Sequence, residues 1–289
     1  MPYNELRKGE IRLSYFEGIQ HDLTEEDIMR KIRFAHISDT HFDCKGASQF
    51  VRTLSKEYST KQKLIDLLIS LPPLDFILLT GDLVHEGEAE DYSEYRQIFD
   101  TYAPATPLFC AMGNHDKRPQ FARGFLGVDM DNSPYLYSRT YGDLRIICLD
   151  SAFEYGVDGY ISPDQTKWLE EQLSVPYGRG TIILSHHPFI SEAAGVSAKV
   201  NQDFERIVRN SDIIGFFNGH IHTSCYSFYL NKPHITAESM SFGIDMANGE
   251  AIYSNRTGYS LCCVEGREIS VASRTIPSHF TELQRKRLY

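Results

Sequence analysis

Aspartate, asparagine and histidine recur in five short segments of this 289-residue chain, at spacings that suit metal coordination. The segments are Ser38-Asp39-Thr40-His41, Gly81-Asp82, Gly113-Asn114-His115-Asp116, Ser185-His186-His187-Pro188 and Gly219-His220-Ile221-His222. Asp39 and His41 stand two apart, as do His220 and His222, so in extended chain each pair points to one side. Asp39 with His41 can hold an ion through one oxygen and one nitrogen. Asp82 follows Gly81, which lets the backbone turn tightly as the carboxylate leaves its strand. A carboxylate can bridge two ions, and pairs of ions roughly 3.5–4 Å apart serve phosphate-ester hydrolysis. Mixed nitrogen and oxygen donors suit manganese, iron, zinc or cobalt better than calcium, which takes oxygen shells.

Each segment follows, directly or within a residue or two, an apolar run that reads as a strand. The candidate ligands therefore leave at carboxyl ends of buried strands, where open α/β sheets bind their ligands. Runs 32–37, 74–79 and 108–112 read as strands, with helices near 56–70 and 88–103 between them. This βαβαβ order implies right-handed crossovers and a mostly parallel sheet. Runs 135–141 and 144–149 flank Gly142-Asp143, a hairpin turn signal. A helix over 164–173 carries Pro163 just inside its start. Strand 181–184, a helix near 199–209 and strand 213–217 form a second βαβ-like unit. Beyond residue 224 only short strands are expected, among them 224–230, 235–238 and 259–264. A parallel half thus joins a mixed or antiparallel half in one domain, 32–276. Residues 1–31 form an extension in which Thr24-Glu25-Glu26-Asp27 reads as a helix start. The basic tail 277–289, with Arg285, Lys286 and Arg287, is expected to be a solvated end.

A net charge of −10 argues against sequence-independent nucleic-acid binding, which needs a basic surface. It leaves small anionic substrates open, because bound cations invert the local field. The 42% apolar content is ample for a core. Six cysteines are scattered without a repeated C-x-x-C spacing, and several lie inside apolar runs, which points to reduced thiols and a cytoplasmic setting. Cys44, close to Asp39 and His41, reads as a buried thiol. No signal-peptide core is seen in residues 1–30, and no apolar run reaches the roughly 20 residues of a membrane span. The acids Glu86, Glu88, Glu90, Asp91 and Glu94 are expected on a solvated helix face.

The ordered motifs resemble those of the calcineurin-like metallophosphoesterases over residues 32–245. The stretch from Thr80-Gly81-Asp82-Leu83-Val84 through Glu90-Asp91-Tyr92 to Asn114-His115-Asp116 looks most like the class III cyclic-nucleotide phosphodiesterase branch. The resemblance implies an α/β fold, a four-layer α/β/β/α sandwich of two mixed sheets flanked by helices. It implies two divalent or trivalent ions, manganese, iron or zinc. One would take Asp39, His41, Asp82 and His222, the other Asp82, Asn114, His186 and His220, with Asp82 shared. It implies attack on phosphorus by a metal-bridging hydroxide, with His115 as proton donor to the leaving oxygen.

Three further residues stand near that set. His187 is placed behind the ligands or beside the substrate, or packed on Pro188. His85 stands where many relatives carry an Asp or Asn that orients the motif histidine; it either takes that role or faces solvent. Asp116 either supports the site or caps the following helix. The implied substrate is a small phosphodiester, with cyclic nucleotides among the candidates. Alternatives are a phosphomonoesterase, a nucleotide pyrophosphohydrolase or a metal-free scaffold. The last is disfavoured because every ligand position is filled. The small-residue loop 191–198 is a candidate pocket wall that would decide between substrates.

Overall fold

A computed structural model describes residues 30–42, 49–54, 59–152, 158–193, 195–247, 250–276 and 282–287. The expected helix start at Thr24 and the thiol of Cys44 lie outside the described residues.

The first sheet grows from β1 (Ile32–Ile37), β2 (Phe76–Thr80) and β3 (Leu108–Ala111), joined in parallel. Its crossovers carry α2 (Thr60–Ser70) and α3 (Ala89–Tyr102), preceded by the short α1 (Gln49–Leu54). The Ser59 side chain caps α2 by accepting the Gln62 N–H, and Leu64, Leu67 and Leu68 form its buried stripe. In α3, Tyr92, Tyr95, Ile98 and Phe99 face inward. The second sheet runs β4 (Tyr137–Tyr141), β5 (Leu144–Cys148), β6 (Gly180–Leu184), β7 (Ile213–Asn218), β9 (Lys232–Thr236) and β8 (Cys225–Tyr229), in that spatial order. Strands β5, β6, β7 and β9 pair in parallel, while β4 and β8 add antiparallel edges. The short helix α4 (Arg118–Phe121) precedes β4, while α5 (Pro163–Gln172) and α6 (Gln202–Arg209) follow β5 and β6.

Alternation along the strands sorts the core into layers. Phe34, Phe76, Leu78 and Phe109 of the first sheet meet Leu144, Ile146, Ile182, Leu184 and Phe217 of the second. There Phe34 stacks on Phe76 at 4.6 Å and meets Phe217 edge-on at 5.3 Å, contacts worth about 0.5–1.5 kcal/mol each beyond area burial. The opposite faces take the helices. Ile37, Ile77 and Leu79 pack on Leu64, Leu67, Tyr95 and Phe99, while Ile147, Ile183 and Phe216 pack on Leu169, Phe204 and Val208. The result is the expected α/β/β/α sandwich.

Two expectations change. The antiparallel strands of the second half are not confined to the second sheet. β12 (Thr257–Glu265) and β13 (Glu268–Ile276) return to the first sheet, β12 lying antiparallel against β1. The first sheet therefore carries antiparallel strands along one margin and ends on the parallel strand β3 at the other, whereas the second has an antiparallel strand at each edge. The tail is no free end either. β14 (Glu282–Arg287) pairs with β11 (Glu250–Ser254), which pairs with β10 (Gly243–Ala247), forming a third small sheet.

Candidate active site

The candidate ligands gather where β1, β2, β3, β6 and β7 end. Their convergence does not come from strand alternation. Asp39, His41, Asp82, His220 and His222 all have left-handed φ, between 37° and 73°. Non-glycine residues seldom adopt that region, and holding each there costs about 1–3 kcal/mol. The turns fold each side chain back over its strand end. A ladder keeps them in register: Asp39 N–H donates to Gly81 O at 3.1 Å and His41 N–H to Asp82 O at 2.9 Å. Gly81, at φ 92°, sits so tightly that a Cβ there would lie 2.6 Å from the His186 ring. At Gly219 a Cβ would collide with Ser38 Oγ and the Asp39 carboxylate.

Asp39 and Asp82 are buried with the histidines around them. His222 Nε2 lies 3.3 Å from Asp39 Oδ1, while His186 Nε2 and His41 Nε2 lie 3.3 and 3.5 Å from Asp82 Oδ2. Asn114 Oδ1 is 3.2 Å from His186 Nε2. His220 donates its backbone N–H to the Asp39 carboxylate, and its ring lies 5.1 Å from that of His186. All of Asp39, His41, Asp82, Asn114, His186, His220 and His222 are thus brought together. His115 borders them: its N–H donates to Asp82 Oδ1 at 2.9 Å, and its side chain stays 33% exposed.

This donor set fits a pair of cations. His222 Nδ1 meets Phe242 O, and His186 Nδ1 meets Thr80 O, each at 2.8 Å. Those carbonyls take the ring N–H, so the Nε2 lone pairs face the carboxylates and one another. His41 Nε2 and His222 Nε2 stand only 3.2 Å apart. Acceptors so crowded repel unless positive charge lies among them. The protonation pattern carries the same demand. Burial opposes charging His186, yet the Asp82 and Asp39 carboxylates push it up to about 9. Burial alone would raise Asp82, but His186 and His115 hold it well below the carboxylate range. Burial drives His220 down to about 3. Donor atoms of Asp39, His41, Asp82 and His222 all fall within 4.8 Å of one another.

The remaining residues take distinct places. Asp116 does not cap the next helix. Its buried carboxylate accepts the N–H groups of Leu83, Val84 and Gly113 and the hydroxyl of Tyr92, latching two ligand loops together. Burial, then the charge of Asp82, raise it to about 6. His85 does not face solvent: it is 7% exposed, bonded to His41 and stacked on His115. His187 is buried behind the ligands, its Nδ1 3.0 Å from Ser151 Oγ and its ring 4.2 Å from His220. Among the described residues its Nε2 has no hydrogen-bond partner.

The acids expected on a helix face lie partly elsewhere. Glu86 and Glu88 precede α3, Asp91 accepts the Glu88 N–H at 2.8 Å, and Glu86 Oε1 approaches His115 Nδ1 at 3.7 Å. Phe242 was not legible as a site residue. It acts through its carbonyl and through a ring 4.4 Å from His222, and a backbone acceptor leaves no side-chain signature.

A family model for calcineurin-like phosphoesterases matches residues 32–224. A probable cyclic nucleotide phosphodiesterase of Rhodococcus erythropolis is 30% identical over 217 residues, covering 73% of this chain and 71% of that protein. The cAMP/cGMP dual specificity phosphodiesterase of Mycobacterium tuberculosis is 28% identical over 233 residues, covering 78% and 73%. Among solved structures, a purple acid phosphatase of yellow lupin superposes with a TM-score of 0.58 at 14% identity, covering 90% of this chain and 54% of that one. That likeness concerns the fold alone. The chain belongs to the calcineurin-like phosphoesterase family. It is a metal-dependent phosphoric ester hydrolase, and the pair of ions the family uses suits the cluster around Asp39 and Asp82. Among the described residues no helix is long and apolar enough to cross a membrane.

Proposed function

We propose that this protein hydrolyses a small phosphodiester, with a cyclic nucleotide as the favoured substrate. The observation that carries this reading is the convergence of the Asp39, His41, Asp82 and His222 donor atoms within 4.8 Å, with His115 open beside them. Both relatives described above bear cyclic-nucleotide phosphodiesterase names, which supports the diester class. In this reading Asp39, His41, Asp82 and His222 hold one ion. Asp82, Asn114, His186 and His220 hold the other. Bound ions supply Lewis acidity and bring water into the range of a nucleophile at neutral pH. The mixed donors favour manganese, iron or zinc.

The chain's own residues do the rest. Thr80 and Phe242 carbonyls fix the tautomers of His186 and His222. Asp116 locks the loops that carry Asp82 and Asn114. His115, held by Asp82 through its backbone and reachable from solvent, donates a proton to the departing alkoxide. An alkoxide is a poor leaving group, so an alkyl ester gains most from such a donor. We propose a cytoplasmic setting, which free thiols at Cys110, Cys148, Cys225, Cys262 and Cys263 support.

The test is a hydrolysis panel on metal-supplemented protein: bis-p-nitrophenyl phosphate, p-nitrophenyl phosphate, cyclic AMP and a nucleoside diphosphate. Turnover of both diesters well above the monoester and the diphosphate is expected. Equal or faster cleavage of the monoester would overturn the diester assignment.

A further inference from the structure

We infer that His85 is a positioning residue that sets how tightly one of the two ions, and not the other, is held. The inference rests on the ligand reading above, specifically on His41 as a ligand. His41 Nε2 points at Asp82 Oδ2 and at His222 Nε2, so this nitrogen must present a lone pair to the ion. The ring hydrogen of His41 then sits on Nδ1. That atom lies 2.9 Å from His85 Nδ1, which accepts the hydrogen bond, and the proton of His85 is left on its own Nε2. His186 and His222 hand the same hydrogen to backbone carbonyls, which no substitution can remove. His41 hands it to a replaceable side chain.

The second contact of His85 is of another kind. Its ring stacks on His115 at 4.4 Å and 26°, an arrangement in which neither ring directs an in-plane N–H at the other. His85 therefore spends its Nδ1 acceptor on the metal side and meets His115 through a ring stack. The partner of a ligating histidine tunes its basicity, and removal of such a partner typically weakens metal binding by about 10–100-fold. A neutral imidazole polarises its donor less than a carboxylate does. A carboxylate at position 85 would polarise His41 more strongly and so tighten the ion held through it.

The experiment strips metal from the wild type, His85→Ala and His85→Asp with a chelator. Manganese binding to each is then titrated by equilibrium dialysis, with folding checked by near-ultraviolet circular dichroism. The wild type is expected to bind two ions. His85→Ala should lose about 10–100-fold in affinity for one of them, with the other within a few-fold. His85→Asp should bind that same ion more tightly than the wild type. Unchanged affinities in His85→Ala, equal weakening of both ions, or weaker binding in His85→Asp would overturn the inference while leaving the ligand reading intact. A wild type that binds fewer than two ions would overturn both.

Discussion

In the proposed two-ion site, Asp82 is the residue on which both ions depend. Its Oδ2 faces His186 and His41 at once, and its Oδ1 holds the loop of His115. An amide keeps the volume but offers one oxygen and no charge, so Asp82→Asn should abolish turnover and lower metal content. Full occupancy with normal activity in that variant would refute the shared position. His115 should behave differently, because it touches Asp82 only through its backbone. His115→Ala is expected to retain both ions while losing about 10²–10⁴-fold in rate, most for poor leaving groups. Metal analysis beside the kinetics separates the two roles. Loss of an ion in His115→Ala would make that residue a ligand. Residue types and order were enough to single out these positions in the sequence. The left-handed backbones of Asp39 and Asp82, at φ 49° and 48°, were not legible, since aspartate enters that region more often than most residues but its type does not say where.

The elements explain why some of the fold was readable and some was not. Strands β1 to β3 and β5 to β7 are short apolar runs bounded by turn residues, and the β4–β5 hairpin carries its own signal in Gly142 at φ 56°. These are local features. The pairing of β12 with β1 joins Ile32 to Val264, and the pairing of β14 with β11 joins Ile252 to Arg285. Nothing local encodes such distant partners, so the last strands are readable as strands but their sheet is not. Asp116 was ambiguous for the same reason: three of its partners, Leu83, Val84 and Tyr92, lie 24 or more residues away. Its replacement by Ala would strand three buried N–H groups and a hydroxyl, each costing about 1–3 kcal/mol if left unpaired. Asp116→Ala is expected to lower stability by about 3 kcal/mol or more, read from denaturant unfolding. A loss below about 1 kcal/mol would show that the latch carries little.

Across the whole molecule, burial decides how the fold responds to acid. His234 is 1% exposed, accepts the Phe189 N–H on Nε2, and meets Ser227 Oγ through Nδ1. Burial lowers it to about 4. Its folded value lies below its unfolded one, so the unfolded chain takes up the proton first as pH falls. The stability it contributes is complete above about 6.5 and is lost as pH falls from there to about 4, at about 1.4 kcal/mol per pH unit. His234→Gln keeps an acceptor but does not titrate. The difference in unfolding free energy between wild type and His234→Gln should therefore shrink over that window and be flat above it. A difference independent of pH would contradict the buried neutral state.

The two-ion centre is what the sandwich, its strained loops and its fixed histidine tautomers jointly serve. It is tested most directly by stripping the protein with a chelator and restoring manganese in measured equivalents while following hydrolysis of bis-p-nitrophenyl phosphate. The rate is expected to vanish on stripping and to return fully only as two ions per chain are bound. Undiminished hydrolysis by the stripped protein, or full recovery at one bound ion, would contradict it.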